Sequence, residues 1–378
     1  MKNQILEQPD RSLWVDLLFL GLVASLFCLV DLGRGSLASW DEAYYAIVSR
    51  EMVETGDWLR MKYFHEPFFD KPPFYIWFTA LFYKWMGVNE FAARAVSGIA
   101  GIGLVFATYM LGRHFFGSLA GLAAAGVVVS SKDFLNYARF GTLDMTALCF
   151  MTWGMWAYWK AKSREVYWLF FGAFFGLAFM TKSGIIALYF VVILLDSLLY
   201  RDFRYLRTKF FWMGILVFLI IVAPWHIFSY MDHPQLLAGT MKTHYWYRVT
   251  QVLDGHVGNY YYYIRTLVNK YHPWVVLLPV SMGWFVTRIV RLKDRYAAFV
   301  VIWIMVVFLF FTFVVQTKLQ WYILPLHPAL SLSVGALLAL WYTDRRRHLL
   351  RLLFVLPRNG MNLAKHLLSP QSFCTTPT

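Results

Sequence analysis

Ten predominantly apolar runs divide the chain, at about residues 13–32, 91–112, 116–131, 143–159, 166–181, 184–200, 210–228, 267–287, 296–315 and 320–342. A helix needs ~20 apolar residues to cross a bilayer, so the pattern predicts about ten membrane helices. The short runs 116–131 and 166–181 fit tilted, paired or partly re-entrant segments. Polar connections between the runs alternate in character. Every second one is basic: Arg113; Lys160, Lys162 and Arg164; Arg201, Arg204, Arg207 and Lys209; Arg288, Arg291, Lys293 and Arg295; Arg345, Arg346 and Arg347. The positive-inside rule assigns these, with the N-terminus, to the cytoplasm. Segments 33–90, 132–142, 229–266 and 316–319 then face outward.

The first outer loop, 33–90, holds two further elements. From Asp41 to Val53, Ala43, Ile47 and Val48 recur at helical spacing, and Asp41 and Glu42 stand in the first turn, where the helix dipole favours acids. This stretch reads as a helix lying along the surface. Lys71-Pro72-Pro73 opens a second apolar segment through Trp85, since proline at a helix start removes an N–H that has no partner there. The expected fold is therefore an all-α integral membrane protein: a polytopic bundle of about ten transmembrane helices, with amphipathic juxtamembrane helices in the first outer loop. Residues 1–351 form one membrane domain. In residues 352–378 a basic amphipathic piece leads into a stretch from Ser369 to Thr378 with neither apolar period nor caps, and the whole reads as a disordered cytoplasmic tail or a truncated or frame-altered end. The run at 13–30 lacks a small-residue cleavage site and reads as a retained first span.

Composition agrees with this picture. Hydrophobic residues make up 59% of the 378 positions and charged residues 15%, well below the share in soluble domains. The net charge of +14 resides largely in the cytoplasmic connections, which makes it a topology signal and removes nucleic acid as a partner. The 17 Trp, 23 Tyr and 34 Phe suit aromatic belts at the lipid–water boundary. Cys28, Cys149 and Cys374 are isolated and have no metal or redox spacing.

The polar clusters that can carry chemistry fall on the outer face. Asp41-Glu42 is either a pair of solvated first-turn acids or a carboxylate at the mouth of a membrane cavity, serving as base or cation ligand. In Asp70-Lys71-Pro72-Pro73 the lysine can hold a phosphate as a point charge and Asp70 can ligate a divalent metal; Lys71 can equally snorkel to the surface. Asp144, at the entrance of an apolar helix, is a first-turn cap or a cavity group. His256, between two glycines in Asp254-Gly255-His256-Val257-Gly258, can be presented to a metal or substrate. Tyr260 to Tyr263 offer an aromatic wall or an interfacial belt, and Lys318 is a phosphate contact or a solvated loop lysine.

In order and character these clusters resemble the membrane glycosyltransferases of the C-type fold that use polyprenyl-phosphate sugars. The likeness extends most to the bacterial branch holding the lipid A aminoarabinose transferases, with the protein O-mannosyltransferases as relatives. It rests on Trp40-Asp41-Glu42-Ala43-Tyr44-Tyr45, Phe69-Asp70-Lys71-Pro72-Pro73, Asn89-Glu90-Phe91-Ala92-Ala93-Arg94, Leu143-Asp144-Met145, Thr181-Lys182-Ser183-Gly184, Gly255-His256-Val257-Gly258 and Lys318-Leu319-Gln320-Trp321-Tyr322, across roughly residues 36–340. Asp70 stands where these relatives commonly have Glu, Gln320 where Pro is usual, and relatives continue into further helices and an outer C-terminal region.

The resemblance implies transfer of a sugar from an undecaprenyl-phosphate-like donor to a glycolipid such as lipid A, or to a protein. The site would face the periplasm from a bacterial inner membrane, in contact with membrane lipid. By resemblance Lys71 holds the donor phosphate, with Arg265 and Lys318 as further candidates. Asp70 and His256 would bind a divalent metal, whether zinc, magnesium or manganese. Asp41 faces the anomeric carbon, Asp144 lines the same cavity, and Glu42 is grouped with them as catalytic. No nucleotide fingerprint is visible, as a lipid-phosphate donor requires. A lipid-binding or assembly subunit, or a transporter or flippase, are the competing classes; a transporter predicts paired repeats and broken helices near the bilayer centre, whereas these clusters gather on one face.

Overall fold

A computed structural model describes residues 12–353; the proposed tail beyond them lies outside the described residues. The chain is mainly helical. α1 (Leu13–Leu29) leads into α2 (Asp41–Thr55), a short hairpin of β1 (Lys62–Tyr63) and β2 (Glu66–Pro67), and α3 (Phe74–Met86). There follow α4 (Glu90–Phe116), α5 (Ser118–Val129), α6 (Lys132–Ala138), α7 (Leu143–Ala161), α8 (Tyr167–Phe179), α9 (Ile186–Leu199) and α10 (Lys209–Asp232). The outer loop after α10 folds into α11 (Pro234–Met241), α12 (Arg248–Thr250) and α13 (Tyr262–Lys270), and the chain finishes with α14 (Leu278–Leu292), α15 (Arg295–Leu309) and α16 (His327–Leu353).

Each apolar run of the sequence contains helix. Among the described residues, five helices are long and apolar enough to cross a membrane: Glu90–Phe116, Lys209–Asp232, Trp274–Leu292, Arg295–Val314 and Gln320–Asp344. α5 and α6, bent by 68° at the break between them, make a sixth if taken as one span. The run at 116–131 therefore ends in a bent element rather than a straight crossing. The surface helix expected at Asp41–Val53 runs to Thr55, where Gly56 at φ +71° ends it in the left-handed conformation favoured by glycine. The segment expected to open at the double proline is α3.

α16 and α4 are largely buried, whereas α10 is largely exposed. α10 turns Trp212, Leu216, Leu219 and Ile220 outward, and α1 does the same with Trp14, Leu18, Phe19 and Leu22, as lipid-facing surfaces require. Small residues set the closest helix crossings. A Cβ on Gly172 of α8 would lie 1.9 Å from the Gly214 carbonyl oxygen of α10, and one on Gly335 of α16 would lie 2.4 Å from the Ala124 nitrogen of α5. In lipid, where apolar burial between helices gives little driving force, such close backbone approach supplies dispersion contact. Helix direction then puts one end of each helix at the site: α7 and α9 begin beside residues that line the main cavity, α15 ends beside others, and Lys160, Tyr200 and Arg295 mark their opposite ends.

Gly172→Ala should force α8 and α10 apart. The expected cost is at least about 1–3 kcal/mol, read as a lower unfolding temperature of the detergent-solubilised protein, and unchanged stability would mean that the crossing is looser than described.

Candidate active site

One salt bridge organises the outer loop. Arg94 of α4 donates from Nε to Glu42 Oε1 at 2.8 Å and from Nη2 to Oε2 at 3.2 Å, with both side chains almost fully buried. Its remaining donors reach the carbonyls of Leu32, Arg34, Gly35 and Ser36 at 3.0–3.2 Å. Glu42 also accepts from the Ala38 N–H at 2.7 Å and the Gly141 N–H at 2.8 Å. The planar guanidinium thus fixes the connection from α1, the start of α2 and the loop before α7 to a single point. Glu42, grouped with the catalytic residues in the sequence, is placed differently from its neighbour: the cavity wall holds Asp41, whereas the Glu42 carboxylate is held by Arg94 outside that wall.

That cavity has a volume of about 1390 Å³. It receives Asp41 from the first turn of α2, Asp70 and Lys71 from the approach to α3, Asp144 from the first turn of α7, and His256 from the outer loop. Five of the eight residues singled out in the sequence therefore share one wall system. The Phe74 N–H bonds to the Met180 carbonyl at 3.0 Å, which carries the start of α3, and with it Lys71, to the end of α8. Lys182, just beyond α8, donates from Nζ to Asp144 Oδ1 at 2.5 Å.

The other two cations do not join this group. Lys318 Nζ donates to the carbonyls of Phe311, Thr312 and Val315 at 2.6, 2.8 and 2.5 Å. Its three N–H groups are thereby spent closing the turn after α15. Arg265 is exposed on α13 and is not part of the cavity wall. Arg248 of α12 lines the cavity and donates from Nη1 to the Tyr322 hydroxyl at 3.0 Å. Gln316, Thr317 and Lys318 bond through their backbone N–H groups to the carbonyls of Val249, Arg248 and His256 at 3.0–3.2 Å, holding the Arg248 segment against the chain that leads to Tyr322. Lys182, Arg248 and Tyr322 had no assigned role in the sequence reading. For Lys182 the signal was present: a cation in a two-residue outer connection between apolar runs.

Charge and burial shape the polar end. Burial pushes the Asp41 carboxyl above its ordinary range, and the neighbouring Asp144 charge raises it further. Burial also pulls the Lys71 ammonium down to about 8, with the Lys182 and Arg248 charges acting in the same direction. Three cations crowded at the edge of a low-dielectric cavity repel one another, and an entering anion relieves that repulsion. Asp70 and His256 share the cavity, but among the described residues no three His, Cys, Asp or Glu side chains come together as metal ligands. Two ligands from this chain do not build a closed metal site, so no chemical step is assigned to an ion.

The wall also holds apolar side chains: Ile185, Leu188 and Val191 from the start of α9, and Val306, Leu309 and Phe310 from the end of α15. The cavity therefore offers both charged and apolar lining.

A profile of the dolichyl-phosphate-mannose-protein mannosyltransferase family matches residues 70–228. An undecaprenyl phosphate-alpha-4-amino-4-deoxy-L-arabinose arabinosyl transferase of Pseudomonas fluorescens is 27% identical over 82% of this chain and 57% of its own. An enzyme of the same name from Aeromonas hydrophila is 26% identical over the same shares. The crystal structure of ArnT from Cupriavidus metallidurans bound to undecaprenyl phosphate superposes with a TM-score of 0.74 and 28% identity, covering 85% of this chain and 59% of that one. The chain resembles the undecaprenyl-phosphate aminoarabinose transferases. It spans somewhat more than half the length of these relatives. An oligosaccharyltransferase of Archaeoglobus fulgidus, at 13% identity and a TM-score of 0.63, shares the fold alone.

Glu42→Gln leaves the Arg94 guanidinium buried without its counter-charge and should destabilise the protein by roughly 3–5 kcal/mol. Asp41→Asn, one residue earlier, should unfold at nearly the wild-type temperature. Thermal unfolding of both variants in one detergent tests the separation, and equal melting temperatures would contradict the structural role of the Glu42–Arg94 pair.

Proposed function

We propose that this chain transfers a sugar of the aminoarabinose class from undecaprenyl phosphate, or a similar polyprenyl phosphate, to a glycolipid acceptor at the outer face of a bacterial inner membrane. One cavity whose wall combines Lys71, Lys182 and Arg248 with apolar side chains of α9 and α15 is the observation that carries the proposal. A lipid phosphate presents matching halves: an anion for Lys71, Lys182 and Arg248, and an isoprenoid chain for the groove beside α9 and α15. The names of the relatives supply the sugar and the lipid carrier. In this reading the ten apolar runs each cross the bilayer, with the shorter helices tilted or supplemented by flanking turns.

The proposed reaction is a single displacement. An acceptor oxygen attacks the anomeric carbon, the bond from that carbon to the phosphate oxygen breaks, and the electron pair leaves with the lipid phosphate. Lys71 and Arg248 oppose the charge on the departing phosphate, a role that gains strength in a site shielded from water. Arg248 is oriented for this by its bond to Tyr322. The ion pair between Lys182 and Asp144 shares the cavity with Asp41, so the reacting sugar sits among fixed charges. If the acceptor is a hydroxyl, Asp41 takes its proton, and its raised pKa moves it toward the range of an effective base. If the acceptor is an ionised phosphate, no base is needed and Asp41 orients the donor.

Purified protein supplied with radiolabelled undecaprenyl-phosphate sugar and a glycolipid acceptor should release undecaprenyl phosphate and form labelled glycolipid. Asp41→Asn should reduce the rate by at least ~10²-fold, the usual range for loss of a positioned acid or base. Binding of the donor without any turnover would identify a lipid-binding subunit instead, and neither binding nor turnover would reject the reading.

Undecaprenyl phosphate binding should also depend on pH in one direction. Lys71 is protonated below about 8 and loses its charge above it. Affinity should therefore hold at neutral pH and fall as pH rises beyond that point, and Lys71→Met should remove this part of the dependence. A binding curve of wild-type protein that stays flat through this range would remove Lys71 as the phosphate ligand.

A further inference from the structure

Behind the cavity, Asp133 of α6 meets His327, the first residue of α16. His327 Nε2 lies 3.5 Å from Asp133 Oδ2, and each side chain is only 2% exposed. Both carboxylate oxygens and both ring nitrogens lack a hydrogen-bond partner among the described residues. The Tyr271 ring stands edge-on to the imidazole, with centroids 5.0 Å apart, while its hydroxyl pairs with Ser331 Oγ at 2.8 Å. Burying two such groups costs desolvation, and well-packed apolar residues in their place are often as stable or more so. Net stability is therefore a poor account of the pair.

Its place in the chain supplies a better one. α6 runs directly into the segment that delivers Phe140, Leu143 and Asp144 to the cavity. The short 3-10 helix Gln320–Leu326 delivers Trp321 and Tyr322 and passes without interruption into His327. The α6 side is seated further by the Lys132 N–H, which bonds to the His272 carbonyl at 3.2 Å. Asp133 and His327 thus join the Asp144 wall to the Tyr322 wall at a point outside the cavity lining. A close polar contact in a dry interior favours one mutual placement, whereas apolar packing tolerates small shifts.

We propose that Asp133 and His327 are positioning residues, whose contact sets the separation between the Asp144 and Tyr322 walls of the cavity. The consequence for transfer rests on the function proposed above; the consequence for backbone protection does not.

The test is the apolar double variant Asp133→Leu/His327→Leu, with Asp133→Asn as the milder second variant. Both are compared with wild type by thermal unfolding, amide hydrogen exchange and sugar-transfer kinetics. The expected double variant unfolds at or above the wild-type temperature, yet exchanges amide protons at least ~10-fold faster in segments 139–144 and 319–322. Its kcat should fall about tenfold with little change in the KM for donor, because misalignment acts on the chemical step. If the double variant does not fold, Asp133→Asn is expected to give the same pattern in smaller degree. Wild-type exchange in a folded variant, or wild-type turnover despite faster exchange, overturns the proposal. Absence of transfer by the wild-type protein would count against the function reading alone, because the exchange measurement still decides the positioning role.

Discussion

The outer half of the molecule depends on one buried guanidinium. Arg94 must be satisfied on every side to be held away from water, and the structure does this by bending four successive carbonyl-bearing residues and the Glu42 carboxylate around it. Such a centre is costly to leave incomplete, which makes it rigid. Because Glu42 is bound, Asp41 has little freedom; because Glu42 also holds the Gly141 N–H, the entrance of α7 and its Asp144 are placed as well. Two acids far apart in sequence are brought to one cavity through a third that never touches it.

The cavity in turn explains why so many charges gather beside an apolar bundle. Ionisable groups at membrane depth persist when they face a cavity or one another. Here they do both. Lys182 answers Asp144, Arg248 leans on Tyr322, and the crowding of Lys71 with the other cations favours the arrival of an anion. The same wall includes apolar side chains of α9 and α15, so a ligand that satisfies the whole cavity is itself amphipathic.

Much of this was legible in the sequence, for identifiable reasons. Apolar runs of near-bilayer length anticipated where the helices lie, because lipid requires backbone groups to be satisfied within each segment. The surface helix from Asp41 and the helix after the double proline followed from local rules for helix starts. Partners separated by long stretches of chain were not legible. Glu42 looked like the twin of Asp41 until Arg94, 52 residues away, claimed it. Lys318 looked like a loop cation, but the turn after α15 consumes all its donors. Arg248 was one of several basic residues in a long outer loop, and only the folding of that loop against residues 316–318 separates it from Arg265. The pairing of Asp133 with His327 spans almost two hundred positions and has no local signature at all.

The central claim is that one lipid phosphate fills the whole cavity, head and tail together. A structure of this chain with undecaprenyl phosphate bound tests it most directly. The account places the phosphate in contact with Lys71 and Arg248, and the first isoprene units between Leu188 of α9 and Leu309 of α15. A phosphate held at Arg265, or a lipid chain lying outside the α9–α15 groove, would contradict it.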